Sequence, residues 1–197
     1  MKQLTVFLAS TNSTNPLFLN AINELAQLTA QEQITLVYGG STMGLMGKLA
    51  NATLAAGGKV IGVFPENSLH NETPHPGLTQ LIKVNSLAER VAVMQQLADG
   101  FIVFPGGIGT LEELFIVWNQ IRLGLLKKPI GILNISNYYS QLYHFLIDDM
   151  QKENFITDYC LEIPFIAEDV KLLYAMLKRR QGRLLYTDEH STNHNEL

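Results

Sequence analysis

Short apolar runs alternate with longer stretches of helical periodicity, and this alternation constrains the fold more than any other feature of the sequence. The runs are rich in β-branched and aromatic residues, which is typical of strands that are covered on both faces. They predict strands at 4–9, 34–38, 59–64, 80–84, 100–104 and 130–134. Between them, apolar side chains recur on one helical face, as at Leu45, Leu49, Ala52 and Ala56 or at Leu87, Val91, Met94 and Ala98. This order predicts a Rossmann-like, doubly wound α/β fold, with a mainly parallel sheet and helices on both faces.

The chain length and the polarity of the C-terminal segment predict the domain organisation. We expect a single domain over residues 1–181, because domains commonly hold roughly 100 to 200 residues. Residues 182–197 offer little apolar surface to bury, which predicts a disordered tail. Segment 65–79 contains Pro65, Pro74 and Pro76 and is long for a connection between strands, so it is a candidate functional loop.

Composition excludes several classes of protein. The 14 Lys and Arg residues against 18 Asp and Glu residues give a net charge of −4, which argues against a nucleic-acid partner. The single cysteine, Cys160, excludes an internal disulfide framework and fits a reducing compartment. The N-terminal apolar run is too short for a signal peptide, and no apolar stretch approaches the ~20 residues that span a bilayer. We therefore expect a cytoplasmic protein that has no membrane partner.

Three predicted strand ends are followed by turns that suit a phosphorylated small molecule. Hydroxyl and amide residues at 9–14 follow the first strand, Gly39 and Gly40 follow the second, and a glycine-rich run at 105–109 follows the fifth. Ligands of parallel sheets bind at this edge, and glycines and free N–H groups at helix starts favour phosphate. The structural alternative is that these glycines only permit tight turns.

Better-defined nucleotide motifs do not fit the chain. In a Walker pattern ending at Lys48, Thr42 replaces the first glycine and Leu49 replaces the final Ser or Thr. The glycines at 39, 40 and 44 lack the dinucleotide spacing, and no acidic residue ends the next strand. The sequence therefore supports neither ATP nor NAD as a cofactor. His70, His75 and His144 are scattered without metal-ligand spacing, so no metal site is expected.

Two charged positions stand out near these turns. Glu112 and Glu113 follow the third turn, where acidic residues stabilise a helix start but also repel a phosphate, so one carboxylate is expected beside a reacting centre. Arg90 lies at the edge of an apolar helical stripe, from which it either snorkels to solvent or turns towards an anion at the strand ends.

The motifs resemble those of a known family. Residues 105–113, PGGIGTLEE, match the PGGxGTxxE signature of the Lonely Guy family, and segments 37–47 and 55–63 resemble the family in order and spacing. The resemblance runs from about residue 4 to residue 177. It implies a Rossmann-like homodimer, or a higher homo-oligomer, that needs no cofactor. The implied activity is that of a phosphoribohydrolase of cytokinin riboside 5′-monophosphates, which releases the free base and ribose 5-phosphate from an N6-substituted adenosine 5′-monophosphate.

The family motif transfers roles to residues of this chain. The implied catalytic pair is Arg90 and Glu113, of which the carboxylate stabilises the oxocarbenium-like ribose and helps to activate water. Glu72 matches a substrate-binding acid in the long loop. With the three turns, the predicted substrate-binding and phosphate-binding residues are Ser10, Gly39, Gly40, Glu72, Gly106, Gly107, Gly109, Thr110 and Glu112.

The chain also departs from the family pattern. Val91 replaces a usual lysine, Ile116 a common acidic residue, and Asn119 and Gln120 a threonine–tryptophan pair; Ala88 replaces a histidine. Two alternatives therefore stay open, a non-catalytic carrier of a nucleotide or of molybdenum cofactor, and an enzyme acting on plain AMP. The label "possible lysine decarboxylase", carried by many relatives, is not supported, because no lysine lies in a recognisable Schiff-base site.

Overall fold

The computed structural model describes residues 1–66 and 72–191, with side chains through residue 181. The strands are β1 (Gln3–Phe7), β2 (Thr35–Tyr38), β3 (Val60–Pro65), β4 (Gln80–Val84), β5 (Gly100–Val103), β6 (Ile130–Leu133) and β7 (Pro164–Ala167). The helices are α1 (Pro16–Gln31), α2 (Gly44–Ala55), α3 (Leu87–Leu97), α4 (Ile108–Arg122), α5 (Ser140–His144), α6 (Asp158–Leu161) and α7 (Val170–Ser191). A 3-10 turn, Ile135–Asn137, precedes α5, and a π-helical segment, Phe145–Gln151, continues it.

All seven strands of the described residues pair in parallel in one sheet, in the order β4-β3-β2-β1-β5-β6-β7. The chain starts in the middle, winds outwards to β4, and returns to β5 beside β1. Strand order therefore reverses between β1 and β5, and the loops that follow these two strands diverge above the sheet. Such a reversal is where open α/β sheets form their ligand crevice. The α/β fold predicted from the sequence is confirmed.

Helices cover both faces of the sheet, as predicted. On one face Leu4 and Val6 of β1 pack in a core cluster with residues of α1, α2 and α7. On the other face Phe7 packs in a second cluster with residues of α3, α4 and the segment after β6. Successive side chains of a strand point to opposite faces, so one buried strand supplies both cores. This explains why its sequence lacks a polar side.

Two parts of the structure differ from the sequence expectations. Strand β7 was not predicted; it is short, lies at the sheet edge and starts at Pro164, a position where the missing N–H is tolerated. Helix α7 continues to Ser191, beyond the start of the predicted tail at residue 182, and residues 192–197 lie outside the described residues. In the proline-containing loop, residues 67–71 lie outside the description as well.

Candidate functional site

A cleft of about 360 Å³ lies at the carboxyl edge of the sheet, between the loop after β1 and the starts of α3 and α4. We call it the reaction cleft. It brings together most of the residues predicted from the sequence, namely Ser10, Glu72, Arg90, Gly107, Gly109, Thr110, Glu112 and Glu113. Apolar residues such as Leu87 and Ile108 complete its wall. Residues from four separate segments of the chain thus meet in one place.

The start of α4 is open towards this cleft. Gly107 is the N-cap, and no side chain caps the helix, so the first-turn N–H groups have no partner within the helix. A Cβ built on Gly107 or Gly109 would meet no heavy atom of the described residues within 4 Å, and neither glycine has a positive φ. Glycine is a common N-cap residue, so the position of Gly107 has a local explanation. Gly109 lies within the first turn of α4, where glycine costs up to about 1 kcal/mol relative to alanine. The packing of the chain therefore gives no reason for Gly109, whereas a ligand held close to the backbone would.

Gly106 differs from these neighbours because its own chain requires it. A Cβ at this position would overlap the side chain of Thr110, which is buried beneath the turn. The Tyr138 hydroxyl donates to the Gly106 carbonyl over 2.8 Å, and the Tyr139 hydroxyl donates to the Phe104 carbonyl over 2.7 Å. Burial raises the pKa of the Tyr139 phenol, so this hydroxyl remains a donor. The two tyrosines thus fix the turn that presents Gly107 and Gly109.

Arg90 and Glu113 form a buried ion pair at the wall of the reaction cleft. The Arg90 Nη2 donates to Glu113 Oε1 over 2.7 Å, and only 12% and 7% of the two side chains is exposed. Arg90 lies in the first turn of α3, whose start is fixed by Ser86, which accepts a hydrogen bond from the Glu89 N–H. The edge position of Arg90 on its helix therefore turns the guanidinium inwards to the strand ends rather than outwards to solvent.

The Glu113 carboxyl has an unusual proton affinity. Burial raises its pKa to about 7, although the Arg90 guanidinium opposes the rise; the neighbouring Glu112 adds to it. Burial is the larger effect here because it removes most of the carboxylate's hydration. A carboxyl that gains and loses a proton near neutral pH suits acid–base or charge-stabilising chemistry.

Two polar atoms at the cleft are buried without a hydrogen-bond partner among the described residues, Glu72 Oε2 and Arg90 Nε. Buried polar atoms are nearly always paired, and an unpaired one costs free energy. Both belong to residues that line the reaction cleft. They offer one acceptor and one donor to a molecule bound there.

The glycines of the turn after β2 allow close contacts within the protein itself. A Cβ on Gly39 would come within 3.2 Å of Arg90 Nη1, and one on Gly40, which has a φ of +80°, within 3.1 Å of the Phe64 Cβ. The first N–H groups of α2 donate to the Thr11 and Ala9 carbonyls, so they are already occupied. Gly39 and Gly40 therefore lie against Arg90 and β3 and outside the lining of the reaction cleft, and their contact with the substrate stays a prediction.

A second cavity, of about 370 Å³, adjoins the reaction cleft at Thr11 and Gly107. We call it the hydroxyl pocket, because Thr11, Ser13 and Thr14 line it together with the Asn12 amide, Gly106 and Tyr138. Sequence reasoning singled out the hydroxyl run after the first strand but nominated only Ser10 from it. Tyr138 was not among the predicted site residues, because nothing in the local sequence indicates its contact with Gly106.

The remaining features of the structure bear less on the chemistry. A larger cavity of about 550 Å³ is lined mainly by apolar side chains of α4 and of the segment after β6, away from Arg90 and Glu113. The described residues contain no cluster of three or more His, Cys, Asp or Glu side chains placed to hold a metal ion. Within the same residues, no helix has both the length and the apolar character needed to cross a membrane. Val91, Ile116 and Gln120 stand outside the lining of the reaction cleft.

Comparisons with known proteins place the chain among named relatives. A family model described as "Possible lysine decarboxylase" matches residues 46–177. A cytokinin riboside 5′-monophosphate phosphoribohydrolase from Rhodococcoides fascians is 37% identical over 178 residues, which cover 90% of this chain and 89% of the relative. A phosphoribohydrolase of the same name from Arabidopsis thaliana is 36% identical over 177 residues, covering 90% of this chain and 81% of the relative.

Solved structures share the fold at lower identity. The molybdenum cofactor carrier protein from Chlamydomonas reinhardtii superimposes with a TM-score of 0.67 at 21% identity, covering 92% of this chain and 98% of that one. A molybdenum cofactor binding protein from Rippkaea orientalis gives a TM-score of 0.65 at 21% identity, covering 90% and 95%. At such identities the likeness concerns the fold alone. The family match and the relatives at 36–37% identity are stronger evidence, and they show that this chain belongs to the Lonely Guy family.

Proposed function

We propose that this protein is a phosphoribohydrolase that releases the free base and ribose 5-phosphate from an adenosine 5′-monophosphate, with or without an N6 substituent. The observation that carries the proposal is the buried Arg90–Glu113 pair beside the uncapped start of α4. The pair supplies a carboxyl and a cation at one wall of a cleft, and the helix start supplies free N–H donors next to them. The names of the relatives support the same reaction.

The charges around the two cavities favour one orientation of the nucleotide. The reaction cleft is lined by Glu72, Glu112 and Glu113 against the single cation Arg90, so a phosphate dianion would be repelled there. The adjoining hydroxyl pocket is lined by hydroxyl, amide, backbone and apolar groups. We therefore place the 5′-phosphate in the hydroxyl pocket and the ribose over Gly107 and Gly109. This orientation directs C1′ towards Glu113 and the base towards Arg90.

The proposed chemistry follows from that orientation. Cleavage of the C1′–N9 bond moves the electron pair onto the base and leaves positive charge on the ribose. The Glu113 carboxylate stabilises this charge and orients the attacking water, whose oxygen bonds to C1′ and whose proton passes to the departing base. Arg90 donates to the base or to the ribose through the N–H groups that the ion pair leaves free, including Nε.

A turnover assay tests the proposal. Purified protein is incubated with AMP and, separately, with N6-isopentenyl-AMP, and the free base and ribose 5-phosphate are followed by chromatography. We expect both products to appear in equal amounts at ordinary enzymatic rates of ~1 s⁻¹ or more. The kcat/KM ratio for the two substrates shows whether an N6 substituent is preferred. Glu153→Gln, a change in an exposed carboxylate outside both cavities, is the matched control for variants of Glu113.

The same assay examines a carrier function. The open glycines at the start of α4 would serve a bound nucleotide whether or not the glycosidic bond is cleaved. A carrier would bind the nucleotide stoichiometrically and release neither product. In that case Val91, Ile116 and Gln120 would be the residues to change to the types common in the family.

The homodimer and the cytoplasmic location that the resemblance and the composition imply stay predictions. Light scattering at micromolar concentration is expected to give twice the mass of the chain. A mass equal to that of one chain would contradict the dimer.

A further inference from the structure

The segment that carries Glu72 is docked on the turn after β2. The Thr42 N–H donates to the Thr73 carbonyl over 3.1 Å, and the hydroxyls of the same two residues lie 3.0 Å apart. Pro74 forms an antiparallel bridge with Ser41, and the His75 N–H donates to the Gly40 carbonyl over 2.9 Å. The three residues that follow Glu72 therefore each pair with the turn at 40–42. This pairing fixes where the segment enters the reaction cleft.

The His75 side chain fixes this arrangement to α2. Only 9% of the residue is exposed, and the Gly77 N–H donates to its Nδ1 over 3.1 Å. An Nδ1 that accepts a hydrogen bond carries no proton, so the proton of the neutral ring lies on Nε2. This Nε2–H donates to Asn51 Oδ1 over 3.0 Å. Both ring nitrogens are therefore engaged, one within the segment and the other with α2.

One turn thereby supports two charged residues of the reaction cleft. Gly39 leaves room for the Arg90 guanidinium, and the residues after it bind the segment that begins at Glu72. The Glu72 Oε2 is buried without a partner among the described residues. Because Oε2 has no hydrogen bond to hold it, the position of the Glu72 carboxylate depends on the backbone of the segment that carries it.

We infer that His75 and Asn51 are positioning residues, which hold the Glu72 carboxylate in the reaction cleft by clamping segment 72–77 to α2 and to the turn at 40–42. The inference rests on the proposed function, since it assigns Glu72 a contact with the nucleotide. Neither His75 nor Asn51 lines the reaction cleft itself. Their influence on turnover must therefore pass through Glu72.

A double-mutant cycle separates this role from a general loss of stability. We expect His75→Ala and Asn51→Leu each to lower kcat/KM by roughly 10-fold, since misplacing a substrate contact by about 1 Å can cost up to about 100-fold. In a Glu72→Ala background the same changes should alter kcat/KM by less than about 2-fold, because residues that act as one unit are not additive. His144→Ala, which changes an exposed histidine on α5, is the matched control and should leave kcat/KM unchanged.

The conservative variant Asn51→Asp retains an oxygen acceptor for Nε2–H and should keep most of the activity that Asn51→Leu loses. Effects of His75→Ala that are equally large with and without Glu72 would show a general structural role and would overturn the inference. An unchanged kcat/KM in His75→Ala at full folding would overturn it as well.

A spectroscopic readout keeps the inference testable if the wild-type protein proves inactive, an outcome that refutes the proposed function alone. Nitrogen chemical shifts of the His75 ring should report the neutral form with the proton on Nε2, and the Glu72 carboxyl carbon shift should move in His75→Ala but not in His144→Ala. Hydrogen exchange at the Thr42 amide should accelerate in His75→Ala, whereas exchange at the Leu36 amide in β2 should not. A proton on Nδ1 of His75, or a Glu72 carboxyl shift that does not change in His75→Ala, would contradict the positioning role of His75 and Asn51.

Discussion

The two glycine-rich turns of this chain look alike in sequence and do different things in the structure. In the turn after β2, a Cβ on Gly44 would overlap the backbone of Ser10, and one on Gly39 would crowd Arg90. In the turn after β5, Gly107 and Gly109 face open space, and only Gly106 is required by packing. The first turn is filled by the protein itself, while the second leaves room for something else.

The difference shows what the missing side chain of a glycine means. Where a Cβ would meet the protein's own atoms, glycine permits a close internal contact and says nothing about a ligand. Where a Cβ would meet nothing and φ is negative within a helix, as at Gly109, glycine is a cost without internal benefit. The first turn is therefore a scaffold for Arg90 and for the Glu72 segment, and the second is the surface on which the nucleotide is proposed to lie.

The largest effect is expected from Gly44→Ala in the first turn. The new methyl would overlap Ser10, and the φ of +56° strains any residue with a Cβ. We expect a loss of roughly 3 kcal/mol in the free energy of unfolding. Urea unfolding followed by circular dichroism measures it. A loss below about 1 kcal/mol would mean that this turn is not as tightly filled as described.

Next in size is a pH-dependent stability effect of Glu113, which lies on the helix that follows the second turn. Burial raises its pKa from 4.5 to about 7, so the folded protein binds this proton more tightly than the unfolded chain does. The contribution to stability is therefore complete below about pH 4.5 and is lost as the pH rises through about 7, by at most about 3 kcal/mol.

The measurement for Glu113 is the difference in the free energy of unfolding between wild type and Glu113→Gln at about pH 5 and about pH 8. The wild type should lose stability relative to the variant as the pH rises. Glu153→Gln, a change in an exposed carboxylate that does not contribute to the shift at Glu113, is the matched control and should show no such change. A difference that stays constant with pH would contradict the raised pKa.

Gly109→Ala should separate stability from function at the second turn. Alanine in the first turn of α4 meets open space, so we expect the free energy of unfolding to rise by up to about 1 kcal/mol. The same methyl projects into the space proposed for the ribose, so kcat/KM for the nucleotide should fall by roughly 10-fold to 100-fold. Urea unfolding measures the change in stability, and steady-state kinetics measures the change in kcat/KM. Full activity in the stabilised variant would contradict the proposal that the nucleotide lies against Gly109.

The smallest effect is expected from Tyr138→Phe, which removes the hydrogen bond to the Gly106 carbonyl and leaves the ring in place. A single neutral hydrogen bond contributes about 1 kcal/mol, so the free energy of unfolding should fall by that amount and kcat/KM by a few-fold. Tyr143→Phe changes a tyrosine whose hydroxyl has a long, 3.4 Å contact with the Leu161 carbonyl, and it serves as the control. Equal effects of the two changes would show that the hydrogen bond from Tyr138 to the Gly106 carbonyl does not contribute to stability or activity.

Much of the fold could be predicted because its signal is local. Strands such as β3 and β5 are buried on both faces, so their apolar runs identify them without knowledge of their neighbours. Strand β7 gives a weaker signal, because it is short, begins with proline and lies at the edge. The resemblance to the family singled out Arg90 and Glu113 as a catalytic pair; the structure places the two side chains in contact, and their catalytic role stays a prediction.

The part of the site that escaped prediction depends on distant contacts. Gly39 and Gly40 look like phosphate-binding residues until Arg90 and Phe64 are seen to lie against them. His75 carries no metal-ligand or catalytic spacing in sequence, and only the fold brings it to Asn51. The raised pKa of Glu113 likewise follows from burial, which the residues beside it in the sequence do not reveal.

The most direct test of the account is the rate of base release by Glu113→Gln under single-turnover conditions with N6-isopentenyl-AMP and with AMP. Glutamine keeps the size of the side chain and a hydrogen bond to Arg90 but cannot carry the negative charge that stabilises the ribose. We predict that wild type releases base and that Glu113→Gln is slower by about 100-fold or more, with nucleotide binding retained. Base release by Glu113→Gln at the wild-type rate would contradict the central claim that the Arg90–Glu113 pair performs the chemistry.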